Sequence, residues 1–208
     1  MTRLVTEWIS GIENEIKDYN ENLKKKIGLD LAGLAAESCG LAATYFRDKI
    51  NEHTAAVVPI TAGEGVIGTF SESIAAILKA MGCNTFITDS TDISGIAEGV
   101  TRGADILFMA DDNAYISINV RTGRIGDNNA ATAIGYVTAL EKMAGTLKEK
   151  EVLVIGCGII GRNAIAELNE KGALITLYDK DKDKAEALKC KSVSVLTDAE
   201  HIKDFMYI

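Results

Sequence analysis

The most constraining feature of this sequence is a glycine-rich turn between an apolar run and a helix. The run is Val152–Ile155, and Gly156-Cys157-Gly158-Ile159-Ile160-Gly161 follows it directly. An uninterrupted apolar run of this length is typical of a strand buried inside a parallel sheet. In a turn with this spacing, the first glycine permits a tight bend, the second lets a phosphate approach the backbone, and the third lets the helix pack against the strand. The pattern therefore predicts a strand, a dinucleotide-binding turn and a helix.

The segment after the turn supports this interpretation. A helix from about Ile159 to Lys171 would direct its positive N-terminal end toward phosphates, and a second apolar strand, Leu174–Tyr178, leads to Asp179. A carboxylate eighteen residues past Gly161 is near the spacing expected for hydrogen bonds to the adenosine ribose. NAD is favoured over NADP, although the neighbouring Lys180 weakens that preference. The predicted cofactor-binding residues are Gly156, Gly158, Ile159, Ile160, Gly161, Asp179 and Lys180. The alternative is a purely structural turn.

Composition and charge exclude several classes of protein. The chain has 208 residues, 47% hydrophobic and 25% charged, as expected for a soluble globular protein. A net charge of -8 opposes binding to nucleic acid or anionic membranes. No apolar run approaches the roughly 20 residues of a membrane span, and the N-terminus does not resemble a signal peptide. The four dispersed cysteines indicate free thiols in the cytoplasm, and the two histidines lack partners for a metal site.

The first 54 residues have a helical pattern. Thr6 can cap a helix that runs to about Ile27, and two shorter helices follow, the first capped by Asp30. The apolar side chains on one face of the long helix have helical spacing, which predicts core packing or, alternatively, a surface for a partner subunit. They are Trp8, Ile12, Ile16, Tyr19, Leu23 and Ile27.

Residues 55–127 have the pattern of a small parallel α/β unit. The predicted strands are Ala55–Ile60, Thr85–Thr88 and Ala104–Ala110, with a helix at Phe70–Met81 and an exposed hairpin-like turn at Arg121–Arg124. Helices between strands imply parallel pairing, and ligands of open parallel sheets bind beyond the carboxyl ends of the strands.

Polar residues follow two of these strands where they end. The glycine-rich segment Thr61–Ser73 follows the first strand, and Asp111-Asp112-Asn113 follows the third. Each could bind a small polar ligand, or each could be an ordinary connector or turn. A helix in residues 128–147, capped at 127–129, should bridge the two sheets. We expect a cleft in which Thr61, Asp111 and Asn129 lie opposite the glycine-rich turn.

Residues 148–208 would form only part of a dinucleotide-binding domain. One helix, Asp183–Lys189, and a third strand, Val193–Leu196, follow Asp179, whereas a complete fold has a second half with roughly three more strands. The sequence thus predicts an α/β protein with a helical N-terminal region, a parallel βαβαβ unit and a truncated Rossmann domain.

Several motifs are more specific than the glycine-rich turn. They are Val58-Pro59-Ile60-Thr61 with Gly63, Gly68-Thr69-Phe70-Ser71-Glu72-Ser73, Phe86-Ile87-Thr88-Asp89, Met109-Ala110-Asp111-Asp112-Asn113 and Asn128-Asn129. Through them the chain closely resembles, over essentially its full length, the PylD family of dehydrogenases, which act in the final step of pyrrolysine biosynthesis.

The resemblance implies NAD-dependent oxidation of the amide L-lysine-Nε-3R-methyl-D-ornithine. A hydride would leave the carbon that bears the ornithine side-chain amine, and the ornithine α-amine would capture the resulting imine or semialdehyde. The pyrroline ring would then close with net loss of ammonia. By resemblance, the substrate-binding residues are Thr61, Ala62, Phe70, Ser71, Asp111 and Asn129, of which Asp111 and Asn129 are assigned as catalytic. Ala62 departs from the family, which can carry serine there.

The sequence leaves three hypotheses for the function. The first is a PylD-like oxidoreductase that requires the missing segment, so that residues 1–208 alone would bind NAD weakly and form little NADH. The second is a non-catalytic binding paralogue, and the third is an amino-acid or opine-type dehydrogenase. An incomplete sheet also favours association, such as a homodimer.

Overall fold

The computed structural model describes residues 5–208, which form two compact units. The first unit extends to Asn128 and the second begins at Asn129. Each unit combines one β-sheet with helices, which confirms the predicted α/β class. The finer division of the chain into four regions stays a prediction.

The first unit opens with four helices. They are α1 (Thr6–Ile9), α2 (Ile12–Ile27), α3 (Leu31–Ser38) and α4 (Ala43–Ile50). The prediction of one helix from Thr6 to Ile27 was wrong, since the helix is interrupted at Ser10 and Gly11; Thr6 is the first helical residue and not the cap. Asp30 does cap α3, because its Oδ1 accepts a hydrogen bond of 2.8 Å from the Gly33 amide.

The predicted core stripe on the first two helices is only partly buried, since Ile12, Ile16, Leu23 and Ile27 are half-buried. Helix α2 has no buried residue, and the side chains of Trp8 and Tyr19 are 65% and 57% exposed. The residue of α1 that is buried is Ile9, one position away from the stripe.

A five-stranded mixed sheet forms the centre of the first unit. Its strands are β1 (Thr54–Val58), β2 (Asn84–Ile87), β3 (Ile106–Ala110), β4 (Tyr115–Asn119) and β5 (Ile125–Asp127), in the order β2-β1-β3-β4-β5. Strand β1 pairs in parallel with β2 and β3, as predicted. The sheet extends beyond the predicted parallel βαβαβ unit, because β4 and β5 add an antiparallel hairpin beside β3.

Two helices connect the parallel strands: α5 (Phe70–Ala80) and α6 (Asp92–Thr101). Helix α6 lies close to the sheet because it carries glycine where it meets the strands. A Cβ on Gly95 would lie 2.5 Å from the Ser90 carbonyl oxygen and 2.7 Å from Val58 Cγ1. These close approaches fix the position of the α6 N-terminus relative to the carboxyl end of β1.

The second unit has the order of a Rossmann half. Its elements are α7 (Asn128–Ala144), β6 (Glu151–Ile155), α8 (Ile159–Glu170), β7 (Leu174–Tyr178), α9 (Lys182–Glu186), β8 (Val193–Val195) and a 3-10 helix (Ala199–Asp204). The sheet is parallel in the order β6-β7-β8. On the other side of β6, the Leu153 amide donates a 2.9 Å hydrogen bond to the Tyr207 carbonyl, and Tyr207 forms a parallel bridge with Val152.

The core of the second unit includes one face of its sheet, since its strand residues Val152, Ile175 and Val193 are partners in register. It is formed by Val137, Leu147, Val152, Cys157, Leu168, Ala173, Ile175, Leu177, Ala185 and Val193. Because Val137 belongs to α7, that helix packs in the second unit. The burial of these apolar side chains packs β6, its glycine-rich turn and α8 together.

Candidate functional site

The glycine-rich turn has the backbone geometry that its spacing predicts. Gly156 has a φ of +96°, in the left-handed region that glycine enters at little cost. Gly158 precedes α8 in an extended conformation, and a Cβ built on it would have no protein atom within 4 Å. A Cβ on Gly161 would overlap the Gly156 carbonyl oxygen. The third glycine is therefore needed for packing, whereas the second leaves open space beside the backbone.

The N-terminus of α8 offers donors to this open space. The Arg162 amide donates a 3.0 Å hydrogen bond to the Gly158 carbonyl, and the amides before it in the helix have no intrahelical acceptor. Arg162 lies in the first turn and its Nε donates a 3.3 Å hydrogen bond to the Cys157 carbonyl. Unpaired amides, the helix dipole and a nearby guanidinium all favour an anionic group such as a phosphate.

Asp179 lies at the end of β7 and is tied to the glycine-rich turn. Its Oδ2 accepts a hydrogen bond of 2.7 Å from the Cys157 amide, and its Oδ1 accepts one of 2.9 Å from the Asp181 amide. These two bonds lower the pKa of Asp179, so that the carboxylate is ionised at neutral pH. Lys180 beside it is exposed.

The residues present fit a dinucleotide. The open space at Gly158 leaves room for a pyrophosphate, Ile159 and Ile160 begin the helix with 64% and 42% exposure, and Asp179 provides an anionic acceptor at the neighbouring strand end. Such an arrangement is suited to bind the adenosine half of the cofactor. The assignment of Gly156, Gly158, Ile159, Ile160, Gly161, Asp179 and Lys180 to NAD stays a prediction.

In the first unit, the loops after the three parallel strands are joined by carboxylates. Thr61 follows β1, and its amide donates a 2.8 Å hydrogen bond to Oδ1 of Asp92, which follows β2. The Thr61 hydroxyl donates to Oδ2 of the same carboxylate. Both bonds lower the pKa of Asp92. Thr61 is therefore held at the carboxyl edge of the sheet by a residue from the neighbouring loop.

A second carboxylate joins the loops after β1 and β3. Oδ2 of Asp112 accepts a hydrogen bond of 2.8 Å from the Glu64 amide. Gly63, with a φ of +72°, lies so close that a Cβ there would overlap the same oxygen. The glycine-rich segment after β1 is thus held by hydrogen bonds to two carboxylates, those of Asp92 and Asp112.

Asp111 lies directly after β3 and stabilises the turn into β4. Its Oδ1 accepts hydrogen bonds of 2.8 Å from the amides of Asn113 and Ala114. These backbone hydrogen bonds, that of Ala114 first, lower the pKa of Asp111. The carboxylate is exposed and ionised, so a structural role in the turn leaves it able to act as the counter-charge of a cationic ligand.

The other predicted substrate residues have different environments. Ala62 is exposed, Phe70 is half-buried and packs edge-on against the Tyr115 ring with 5.6 Å between centroids, and Ser71 is buried in the first turn of α5. Asn129 lies in the first turn of α7 and is the first residue of the second unit. Thr61 and Asp111 therefore belong to one unit and Asn129 to the other, and their joint action on a substrate stays a prediction.

Two residues at this edge were missed by the sequence reasoning. Asp92 holds Thr61, and Glu98 on α6 accepts hydrogen bonds from the Asp89 and Ser90 amides at 3.0 and 2.8 Å. The polar run Thr88–Asp92 directly follows β2, so the rule that singled out Asp111 would have found Asp92 had it been applied to every strand.

The observed fold defines a two-unit α/β protein whose second unit carries a glycine-rich turn of the dinucleotide type. The sequence pattern of the N-terminal domain of the pyrrolysine biosynthesis protein PylD matches residues 8–126, and that of the C-terminal domain of alanine dehydrogenase/PNT matches residues 128–204. Pyrrolysine synthase of Methanosarcina acetivorans is 34% identical over 196 residues, which cover 94% of this chain and 71% of that protein. The chain therefore belongs to the PylD family.

A second pyrrolysine synthase and a solved structure also match most of this chain. Pyrrolysine synthase of Methanosarcina barkeri is 30% identical over 181 residues, which cover 87% of this chain and 66% of that protein. Among solved structures, shikimate dehydrogenase from Aquifex aeolicus matches with a TM-score of 0.46 and 18% identity, over 73% of this chain and 65% of that one. The family assignment rests on the sequence matches.

Proposed function

We propose that this protein takes part in pyrrolysine biosynthesis as an NAD-dependent oxidoreductase whose substrate is L-lysine-Nε-3R-methyl-D-ornithine. The proposal rests on two features that occur together in a chain of the PylD family. One is an intact turn of the dinucleotide type, and the other is a group of carboxylates at the C-terminal ends of the strands of the first unit, which suits a cationic amine. The chain spans 71% of the Methanosarcina acetivorans relative, so the activity of the whole protein is part of this proposal.

On the cofactor side, the turn residues hold the pyrophosphate and Asp179 accepts the ribose hydroxyl protons. Bound NAD supplies the hydride acceptor. A 2'-phosphate near the ionised Asp179 would be repelled, and we therefore propose NAD as the cofactor in preference to NADP. The side chain of Cys157 lies buried in the turn, where burial raises the pKa of its thiol and keeps it neutral.

On the substrate side, Asp111 provides the negative charge for the protonated side-chain amine. Thr61 and Asn129 act as neutral partners, and Ala62, Phe70 and Ser71 complete the surface around the substrate. A cation that leaves water needs such a counter-charge, because an unpaired charge in a partly dry site is strongly disfavoured. The lowered pKa of Asp111 keeps it in the charged form that this role requires.

In the proposed oxidation and ring closure, the main task of the protein is to orient the substrate. Loss of a hydride from the amine carbon and of a proton from its nitrogen gives an imine. Attack of the ornithine α-amine on that carbon forms the ring bond, and departure of ammonia leaves the cyclic imine. Ring closure within one molecule is rapid once the ends are held together, so the residues must position the amine and limit access of water.

Calorimetry with the two ligands tests the proposal. The protein is titrated with NAD and, separately, with L-lysine-Nε-3R-methyl-D-ornithine, and Gly158→Val and Asp111→Asn serve as variants. We expect Gly158→Val to weaken only NAD and Asp111→Asn to weaken only the amide. Equal loss of both ligands in either variant would contradict the assignment of the two sites.

We also propose a cytoplasmic protein that associates as a homodimer. Its four cysteines are free thiols, as is usual in a reducing compartment, and the exposed Trp8 and Tyr19 are candidates for a subunit contact. No helix among the described residues is long and apolar enough to cross a membrane. Sedimentation of the parent and of a Trp8→Ser variant tests the dimer, since a monomeric parent would contradict it.

A further inference from the structure

Asp92 has an unusual backbone conformation at the edge that carries the proposed substrate residues. It is the first residue of α6 and has a φ of +53°. Side-chain-bearing residues rarely adopt this conformation, although Asp and Asn tolerate it better than most. Backbone strain of this kind persists where the surrounding contacts require it, and it is enriched at ligand-binding sites.

The contacts that hold Asp92 are directed at the segment after β1. Its amide donates a hydrogen bond of 3.0 Å to the Pro59 carbonyl, and its two carboxylate oxygens accept from the Thr61 amide and the Thr61 hydroxyl. Asp92 therefore binds this segment at two positions, Pro59 and Thr61. These contacts determine the backbone path at Thr61 and the direction in which the Thr61 hydroxyl points its hydrogen.

The direction of that proton decides what Thr61 offers to a ligand. A hydroxyl has one hydrogen and two lone pairs, and a carboxylate can only accept. The hydrogen bonds from Thr61 lower the pKa of Asp92, so this carboxyl is ionised at neutral pH. With its hydrogen committed to Asp92, the exposed Oγ1 of Thr61 can act only as an acceptor toward solvent or a ligand.

We propose that Asp92 is a positioning residue that makes Thr61 an obligate acceptor, so that this edge selects a protonated amine over a group that must accept a hydrogen bond. The inference rests on the proposed function, in which Thr61 and Asp111 receive the side-chain amine of the substrate. Asp92 acts through Thr61, without itself contacting the substrate.

An Asp92→Asn variant tests this role with little change in shape. Asn tolerates the left-handed conformation, and its carbonyl oxygen can still accept from the Thr61 amide. Its NH2 group then faces Oγ1, so the Thr61 hydroxyl is released and can donate. The probes are L-lysine-Nε-3R-methyl-D-ornithine and its analogue with a methoxy group, which can only accept a hydrogen bond, in place of the ornithine side-chain amine. We expect the ratio of amine to methoxy affinity, measured by calorimetry, to fall about tenfold in Asp92→Asn.

Two controls separate this role from loss of charge and from loss of structure. Asp89→Asn removes an equally charged, exposed side chain from the same loop and should leave the ratio unchanged. In a Thr61→Val background, Asp92→Asn should have no further effect on the ratio, because the group through which it acts is gone. Melting temperatures of all variants report the structural contribution separately.

The outcomes are distinct for the inference and for the proposed function. A fall in the ratio that persists undiminished in the Thr61→Val background, or no fall at all, would overturn the role of Asp92 and leave the amine site intact. Failure of the parent protein to bind the amine probe would overturn both, since there would be no amine selection for Asp92 to control.

Discussion

The carboxylate of Asp179 accepts a hydrogen bond of 2.7 Å from the backbone amide of Cys157, which joins the end of β7 to the glycine-rich turn after β6. The residue that would bind the ribose thus also fixes the turn that would bind the pyrophosphate. A carboxylate has about four lone-pair positions, and the amides of Cys157 and Asp181 use two. Asp179 can therefore hold the turn and accept from a ribose hydroxyl at the same time.

Substitutions of the second and third glycines should have opposite consequences. Gly158→Val adds a Cβ that has no protein atom within 4 Å, in the open space where we propose that the pyrophosphate binds. We expect NAD binding to be lost with an unchanged melting temperature. Gly161→Ala forces a Cβ against the Gly156 carbonyl and should lower stability by roughly 1–3 kcal/mol.

Calorimetry and thermal melting of both variants check this pair. The prediction fails if Gly158→Val binds NAD as tightly as the parent, or if Gly158→Val is as destabilised as Gly161→Ala.

Asp179→Asn should change the choice of cofactor more than the fold. The amide oxygen of Asn can still accept from the Cys157 amide, but the negative charge that repels a 2'-phosphate is gone. We expect the ratio of NAD to NADP affinity to fall by about tenfold or more. Asp183→Asn, which removes an exposed charge from α9, is the matched control. An unchanged ratio in Asp179→Asn would assign the ribose to another residue.

Asp111→Asn should weaken binding of the amine substrate about ten- to a hundredfold, because a charged hydrogen bond contributes roughly 1.5–3 kcal/mol. Folding should survive, since the Asn oxygen can accept from the amides of Asn113 and Ala114 as Asp111 does. Titration with the amide probe measures the affinity, with Asp89→Asn as the control for charge. Unchanged affinity together with a lower melting temperature would make Asp111 a turn residue only.

Stability should depend on pH through Glu98. Hydrogen bonds from the Asp89 and Ser90 amides, with a further one from Arg102, lower the pKa of Glu98 to about 2 from 4.5. Because the folded state binds the proton less tightly, this contribution is fully present above pH 4.5 and is lost as the pH falls toward 2.

Thermal melting of the parent and of Glu98→Gln at several pH values checks this dependence. The difference in melting temperature should be largest above pH 4.5 and shrink steadily toward pH 2. A difference that stays constant over this range would show that Glu98 acts by packing instead.

The second unit could be predicted well because its signal is local. The buried run at Val152–Ile155, the spacing of the glycines and the position of Asp179 each follow from the geometry of one strand, one turn and one helix. All of these features lie within thirty residues, so no long-range contact was needed to interpret them.

The first unit was predicted less completely because its features depend on tertiary contacts. Strand β4 reads Tyr-Ile-Ser-Ile-Asn, a short and mixed pattern that becomes a strand by pairing with β3. The bond between Asp92 and Thr61 joins residues 31 positions apart, and no spacing rule anticipates it.

The measurement that tests the account most directly is amine-dependent formation of NADH, followed by absorbance. The protein is mixed with NAD and L-lysine-Nε-3R-methyl-D-ornithine, alone and together with the part of the Methanosarcina acetivorans relative that the match does not cover. We predict NADH formation in at least one of the two preparations, accompanied by release of ammonia, and its loss in Gly158→Val. Absence of NADH from both preparations, although NAD and the amide each bind, would contradict the account and make this chain a binding protein.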